Sequence, residues 1–189
     1  VRHAVAAGEL DLAADVVETA TPDLRRRRQE ATLRRWADDF PDAVLHRRPV
    51  LALTFVGALM SCNEFAAAVP RLDDLAAQLP AIERRIADGP AASDLVAIDA
   101  FELARVPGAI ELYRAGLALV AGDLPGTHRH AALAIDAAPP GDDVVRSGAA
   151  GLSGLAHWAV GSLDDAYERY DVCIAGLRRA RHVPDEIGC

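Results

Sequence analysis

Imidazole groups in the C-terminal third are the first side chains whose type and spacing could support chemistry. His157 precedes Trp158 in an apolar stretch, where the pair could contact a ligand or could pack within the core. We favour core packing. His128 and His130 are two residues apart, so they point to different sides of a helix and cannot form a His-x-x-x-His metal pair. The sequence therefore predicts no metal site.

Serine and lysine chemistry give no better case for an enzyme. Gly151-Leu152-Ser153-Gly154 resembles a nucleophile elbow, but its second glycine comes one residue too early and no strand pattern precedes it. The chain contains no lysine, which excludes a lysine Schiff base, a Ser–Lys pair and a phosphate-binding Gly-Lys loop. The 28 acidic residues are spread along helix faces and show no paired arrangement above background. We predict a protein that is not an enzyme and that holds no cofactor.

The run Arg25-Arg26-Arg27-Arg28 is the densest positive charge in the chain. It could form a patch for a nucleotide, a nucleic acid or an acidic partner, or it could be the solvated start of a helix among Asp23 and Glu30. We favour the solvated helix start, where four arginines oppose the helix dipole. The net charge of −8 argues against nucleic-acid binding by the chain as a whole.

The elements that position these residues are helices joined by a recurring turn. The best-formed turn is Gly161, which ends an apolar helix and precedes Ser162 as a candidate N-cap of the next one. The same turn signature recurs at Gly8, Asn63 and Gly122, each followed two residues later by Leu or Phe. Asn is the next best residue after Gly at positive φ. These four turns predict four helical hairpins.

The spacing of the turns indicates the architecture. Pro80 and Pro139 each follow their turn residue by 17 positions, as in tetratricopeptide repeats, but the turns are 55, 59 and 39 residues apart. No strand alternation is present. The prediction is an all-α, superhelical array of antiparallel helical hairpins: a TPR-like solenoid of irregular repeat length, forming one domain over residues 1–189.

Helix boundaries follow from prolines and glycines. We predict that Thr21-Pro22 begins a helix reaching Asp39 and that a helix over 94–104 precedes a new one from Pro107 or Gly108. The clearest loop is Gly89-Pro90-Ala91-Ala92-Ser93. Gly148, Gly151 and Gly154 lie three apart, which predicts close helix packing.

The cysteines and the apolar runs indicate where in the cell the protein is located. Cys62, Cys173 and Cys189 have no metal-type spacing and are predicted to be reduced thiols of a cytoplasmic protein. The apolar run over 49–60 is too short to span a bilayer, so no membrane association is expected. The chain begins at Val1 rather than Met and stops in mid-pattern, as expected of a piece of a longer protein.

The order of several short motifs resembles the tetratricopeptide-like region of ATP-dependent LuxR-family regulators, the MalT-like signalling NTPases. The resemblance covers nearly the whole chain. The motifs are Leu33-Arg34-Arg35-Trp36 with Phe40-Pro41 and Arg48-Pro49, Glu111-Leu112-Tyr113-Arg114-Ala115 with Gly122-Asp123-Leu124, Gly154-Leu155-Ala156-His157-Trp158 with Gly161, and Gly176-Leu177-Arg178-Arg179-Ala180 through Ile187-Gly188-Cys189.

This resemblance implies a sensor and protein-interaction domain, flanked by an NTPase module and a DNA-binding helix-turn-helix module as its partners. A small-molecule inducer or a protein would bind the superhelix. The first helix of each hairpin should line the concave side, and Tyr113, Arg114, His157 and Trp158 are the candidate binding residues. The alternative is a TPR-type scaffold that binds a peptide or partner domain and senses no small molecule.

Overall fold

The computed structural model describes residues 1–92 and 94–188, and every regular element in these ranges is helical. The all-α prediction is confirmed for this part of the chain. Ser93 of the predicted loop and the predicted thiol Cys189 lie outside it. The chain divides into two compact units, Val1–Val106 (unit 1) and Pro107–Cys189 (unit 2).

Unit 1 is built from short and medium helices followed by the first residues of a longer helix. Its helices are α1 (Arg2–Ala6), α2 (Leu10–Arg26), α3 (Glu30–Ala37), α4 (Asp42–Arg47), α5 (Pro49–Ser61), α6 (Phe65–Ala77) and α7 (Leu79–Asp88), with a 3₁₀ turn at Pro90–Ala92.

The core of unit 1 is centred on α5, which is buried from Pro49 to Leu59. Helices α2, α3, α4 and α6 all contact α5. Phe55 of α5 packs against Phe40 with ring centroids 5.5 Å apart. An apolar helix buried on all sides is the expected central element of a helical core.

A cluster of one buried arginine and its carboxylate partners joins α2 to the start of α5. The side chain of Arg48 is only 4% exposed, and its Nη1 lies 2.7 Å from Asp15 Oδ1 and 3.4 Å from Glu18 Oε1. Burial raises the pKa of Glu18, although the positive charge of Arg48 opposes that rise. These carboxylates offset the free-energy cost of burying the Arg48 guanidinium. The ion pairs of Arg48 with Asp15 and Glu18 therefore specify how α2 packs against α5.

Unit 2 takes up the rest of the chain and is built from long helices. It contains the C-terminal part of α8 (Ala100–Val120), then α9 (Leu124–Ala137), α10 (Asp143–Ala159), α11 (Leu163–Arg179) and α12 (Val183–Gly188). Helix α10 packs against both α9 and α11, and α12 contacts α11.

All four predicted turn residues have positive φ and stand between two helices. The angles are 78° at Gly8, 60° at Asn63, 76° at Gly122 and 78° at Gly161. Asn63 is the instructive member, because it adopts the left-handed conformation without being glycine. Ser162 occupies the N-cap position of α11, but its side chain makes no capping hydrogen bond, contrary to the prediction.

Two proline positions were misjudged from the sequence. Helix α2 runs through Pro22 to Arg26 instead of starting anew at Thr21, whose hydroxyl donates to the Val17 carbonyl at 2.7 Å. Val17 and Thr21 are both buried. Because their packing holds this face of α2 in place, it outweighs the cost of a proline inside the helix.

The segment before Pro107 also differs from the prediction. Residues 94–99 are not helical, and α8 begins at Ala100 under the side chain of Asp99, which accepts from Phe101 N–H at 2.7 Å. The helix then continues through Pro107 without a new start. Val106 before the proline and Ile110 after it are both fully buried.

Small residues let the helices of unit 2 approach closely, as predicted. A Cβ added to Gly151 would lie 3.1 Å from the sulfur of Cys173, and one added to Gly154 would lie 3.3 Å from the ring of Tyr170. Gly148 faces Leu112 at 3.2 Å in the same way. The prediction of close packing at these glycines is confirmed.

No helix among the described residues is both long and apolar enough to cross a bilayer. The superhelical, TPR-like arrangement and the single domain over residues 1–189 stay predictions.

Candidate binding surfaces

The four predicted binding residues fall into two clusters in unit 2. Tyr113 and Arg114 lie on α8, and His157 and Trp158 lie in the last turn of α10. Arg114 Nη1 is 2.7 Å from Glu111 Oε1, and the second oxygen of Glu111 is 2.6 Å from His130 Nδ1. Arg114 is therefore held in an ion pair within α8, and Glu111 joins that pair to His130 on α9. Tyr113 beside Arg114 is half-buried.

Trp158 is not a core residue. Its exposed fraction is 63%, so the preferred prediction of a tryptophan packed within the core is wrong. Trp158 lies next to the Gly161 turn, and its chain neighbours Ala159 and Val160 are exposed as well. The contact between α10 and α11 is made by small residues that precede Trp158 in α10, such as Gly151 and Gly154. The helices are too close there to leave space for an indole.

His157 joins three helices instead. Its ring lies 4.5 Å from the ring of His128 on α9, and its Nδ1 lies 3.7 Å from Asp165 Oδ2 on α11. His128 Nδ1 is in turn 2.9 Å from Ser153 Oγ on α10. Burial lowers the pKa of His128, and the nearby charges of His157 and Arg169 lower it further.

The chemistry of this cluster is that of a polar contact between helices. A serine beside a histidine is the first part of an activated nucleophile, but the next partner in such a site is a group that orients the base. The ring beside His128 belongs to a second histidine instead of a carboxylate. The contact between Ser153 and His128 could not be predicted from the sequence, because 25 residues separate the pair.

An exposed apolar surface surrounds the Gly161 turn. The turn surface consists of exposed side chains from the end of α10, the turn and the start of α11: Leu155, Trp158, Val160, Leu163 and Tyr167. Leu163 and Tyr167 are 63% and 75% exposed and lie four residues apart on one line of α11. Neither residue was among the predicted binding residues. Their exposure could have been predicted, because they lie outside the stripe of small and apolar residues that α11 buries. That stripe includes Ala166, Cys173 and Leu177.

Carboxylates border the turn surface. Asp164, Glu168 and Asp171 are exposed on α11, and Asp165 lies beside His157. Arg169 is the one basic residue between Leu163 and Val172. The result is an aromatic and aliphatic surface with an acidic edge.

Unit 1 carries a separate surface cavity of about 310 Å³. It is lined by Arg2, Thr32, Arg35, Trp36 and Asp39. Arg35 Nη2 lies 3.3 Å from Thr32 Oγ1, which orients the guanidinium along α3. An indole, two guanidinium groups and a hydroxyl could receive a planar anionic group.

The arginine run lies elsewhere in unit 1 and at the opposite end of a helix from the one predicted. Arg25 and Arg26 form the last turn of α2, and Arg27 and Arg28 follow it. At a helix C-terminus these charges complement the dipole instead of opposing it, so the predicted destabilisation is wrong. Arg26 also forms an ion pair with Asp23, one turn earlier.

Metal-ligating side chains are not gathered into a site in the described part of the chain, where no group of three or more His, Cys, Asp or Glu could hold an ion. Cys62 is a free thiol, and Cys173 is buried between α10 and α11. This chain matches no protein-family model, no curated protein and no solved structure.

Proposed function

We propose that this chain is a non-catalytic protein-interaction domain that receives a signal for a larger regulator. The observation that carries the proposal is the turn surface of unit 2, where Trp158, Leu163 and Tyr167 are each more than half exposed. Contiguous exposed apolar side chains mark interaction sites in folded proteins. Trp and Tyr are also the residue types that most often dominate the energy of such contacts.

The proposal includes the parent protein that the motif order implies: a cytoplasmic LuxR-family regulator with an NTPase module before this chain and a helix-turn-helix module after it. In that setting the hairpins form a TPR-like superhelix. A partner bound at the turn surface would shift the flanking NTPase between resting and assembled states. To reverse a 1:99 equilibrium, the partner must bind one state about 10⁴-fold more tightly than the other.

A binding experiment with the flanking modules tests this proposal. Purified NTPase and helix-turn-helix modules encoded beside this chain are titrated into the wild-type chain and into a Trp158→Ser/Tyr167→Ser variant by isothermal calorimetry. We expect the wild type to bind one module and the variant to bind it at least about tenfold more weakly, as expected for interface aromatics.

A matched control keeps this result interpretable. Leu12 and Val69 are exposed apolar residues of unit 1, and a Leu12→Ser/Val69→Ser variant removes two apolar side chains from a different surface. It should bind as the wild type does. Binding of neither module to the wild-type chain, or equal weakening by the two variants, would contradict the proposal.

A second candidate function is small-molecule sensing, which the cavity of unit 1 favours. Its volume of about 310 Å³ lies at the lower end of the range for ligand sites. The ligand would be a planar anion that stacks on Trp36 and pairs with Arg2 and Arg35. Nucleotides and aromatic carboxylates should raise the melting temperature of the wild type and leave that of Trp36→Ala/Arg35→Gln unchanged. Without any such rise, the TPR-type scaffold that senses no small molecule remains.

A further inference from the structure

We propose that the turn surface binds an arginine-rich amphipathic helix of a partner protein. This inference rests on the proposed interaction function and specifies the chemistry of the partner.

The apolar and acidic residues of α11 form two adjacent stripes. Successive residues of a helix are rotated by about 100°, so Leu163 and Tyr167 lie on one line. The same rotation places Asp164, Glu168 and Asp171 on the neighbouring, exposed side of the helix. A ligand that covers Leu163 and Tyr167 therefore passes directly beside three carboxylates.

The end of α10 extends this surface across the hairpin. Trp158 lies in the last turn of α10, and Gly161 N–H donates to its carbonyl at 3.0 Å. The turn thus places Trp158 just before Gly161 and Leu163 just after it. Leu155, three residues before Trp158, is exposed on the same side of α10. An elongated apolar ligand can lie along both helices.

The negative charge of α11 decides which kind of ligand the turn surface can bind. The stretch from Leu163 to Val172 has four acidic residues and a single arginine, which disfavours an anionic membrane or a nucleic acid. A guanidinium suits the surface in two ways, because it stacks on the indole or phenol ring and pairs with carboxylates in bidentate fashion. Apolar residues at every third or fourth position of a helix would cover Leu163 and Tyr167.

A designed peptide tests the inference without knowledge of the natural partner. The probe is a fluorescent helical peptide of about 18 residues, or five turns, with leucines on one face and arginines beside them. Its affinity for the wild-type chain is measured by fluorescence anisotropy. A second peptide with glutamates in place of the arginines reports the apolar contribution alone.

Two variants with equal charge changes separate this site from the general negative charge of the protein. Asp164→Asn/Glu168→Gln/Asp171→Asn neutralises the acidic edge, and Asp73→Asn/Glu83→Gln/Asp88→Asn neutralises exposed acids of unit 1. We expect the first variant to bind the arginine peptide at least about tenfold more weakly and the second to bind as the wild type does. Binding to the wild type should also weaken by about tenfold between 50 and 300 mM salt.

Several outcomes overturn the inference. One is equal binding by the two variants, and another is affinity that does not change with salt. A third is loss of self-association in the first variant, which would make a second copy of this chain the occupant. If Trp158→Ser/Tyr167→Ser abolishes binding of a flanking module while the acidic-edge variant binds it normally, the interaction function stands and the arginine-rich partner is wrong. Circular dichroism melting curves establish that each variant is folded.

Discussion

The imidazole rings of His128 and His157 lie 4.5 Å apart at an angle of 53°, and they join α9 to the last turn of α10. Ser153 faces His128 from α10, and Asp165 and Arg169 approach the pair from α11. The lowered pKa of His128 therefore arises where α9, α10 and α11 meet.

The first prediction concerns pH. Because burial, His157 and Arg169 lower the pKa of His128 in the folded protein below its usual 6.5, the unfolded chain binds the proton more readily. The stability from neutral His128 is therefore complete above pH 6.5 and is lost as the pH falls from 6.5 towards the folded pKa. Urea unfolding at pH 7.5 and 5.5 should show a smaller loss of stability for His128→Gln than for the wild type. An equal loss in both proteins would contradict this.

The second prediction concerns the buried Arg48. Removing it leaves Glu18, whose side chain is 1% exposed, without its cation, so Arg48→Ala should lower the free energy of unfolding by about 3–5 kcal/mol. Arg47→Ala is the matched control, because Arg47 is half exposed and lies 3.7 Å from Asp11. That control should cost less than about 1 kcal/mol. Urea denaturation measures both, and comparable losses would show that the burial of Arg48 is not what matters.

The third prediction concerns the contact between α8 and α9. A Cβ on Gly108 would lie 3.1 Å from the carbonyl oxygen of Ala134 and 3.1 Å from the backbone nitrogen of Ala138. Backbone atoms cannot rotate away, so Gly108→Ala should destabilise unit 2 by about 1–3 kcal/mol. This overpacking must exceed the helix-propensity gain of about 1 kcal/mol that alanine brings. Thermal melting measures the net change, and a higher melting temperature would refute the close approach.

The fourth prediction concerns the left-handed turns. Gly161 has φ of 78°, so Gly161→Ala should destabilise the α10–α11 hairpin by about 1–2 kcal/mol. Gly161→Asn is the control, since Asn63 already occupies the equivalent turn between α5 and α6 with φ of 60°. Asparagine should recover part of the loss. Chemical denaturation of the three proteins gives the order, and equal stability of the alanine and glycine forms would count against a strained turn.

Local features of the chain were predictable because their physical causes are local. A residue that can adopt positive φ between two apolar helical stretches indicates a turn, and this reasoning identified Gly8, Asn63, Gly122 and Gly161. The spaced glycines of α10 likewise indicated close packing, because glycine inside a helix is costly unless a neighbour needs the space.

Helix continuity across proline was not predictable from neighbouring residues. Pro22 and Pro107 both read as helix starts, because proline is favoured in a first turn and costly further inside. In the structure each lies inside a helix. The deciding term is the burial of residues on the same helix face, such as Val17 and Val106. That burial depends on other helices, which the local sequence does not reveal.

The candidate sites divide in the same way. The sequence by itself determined that the chain is helical, where its left-handed turns lie and that its charge is negative, because periodicity, turn chemistry and composition are properties of the chain. Only the tertiary structure decided that Trp158 is exposed, that His128 meets His157 and that Arg48 is buried among carboxylates. Each of these depends on which helix faces lie against each other, and residues far apart in the chain determine that.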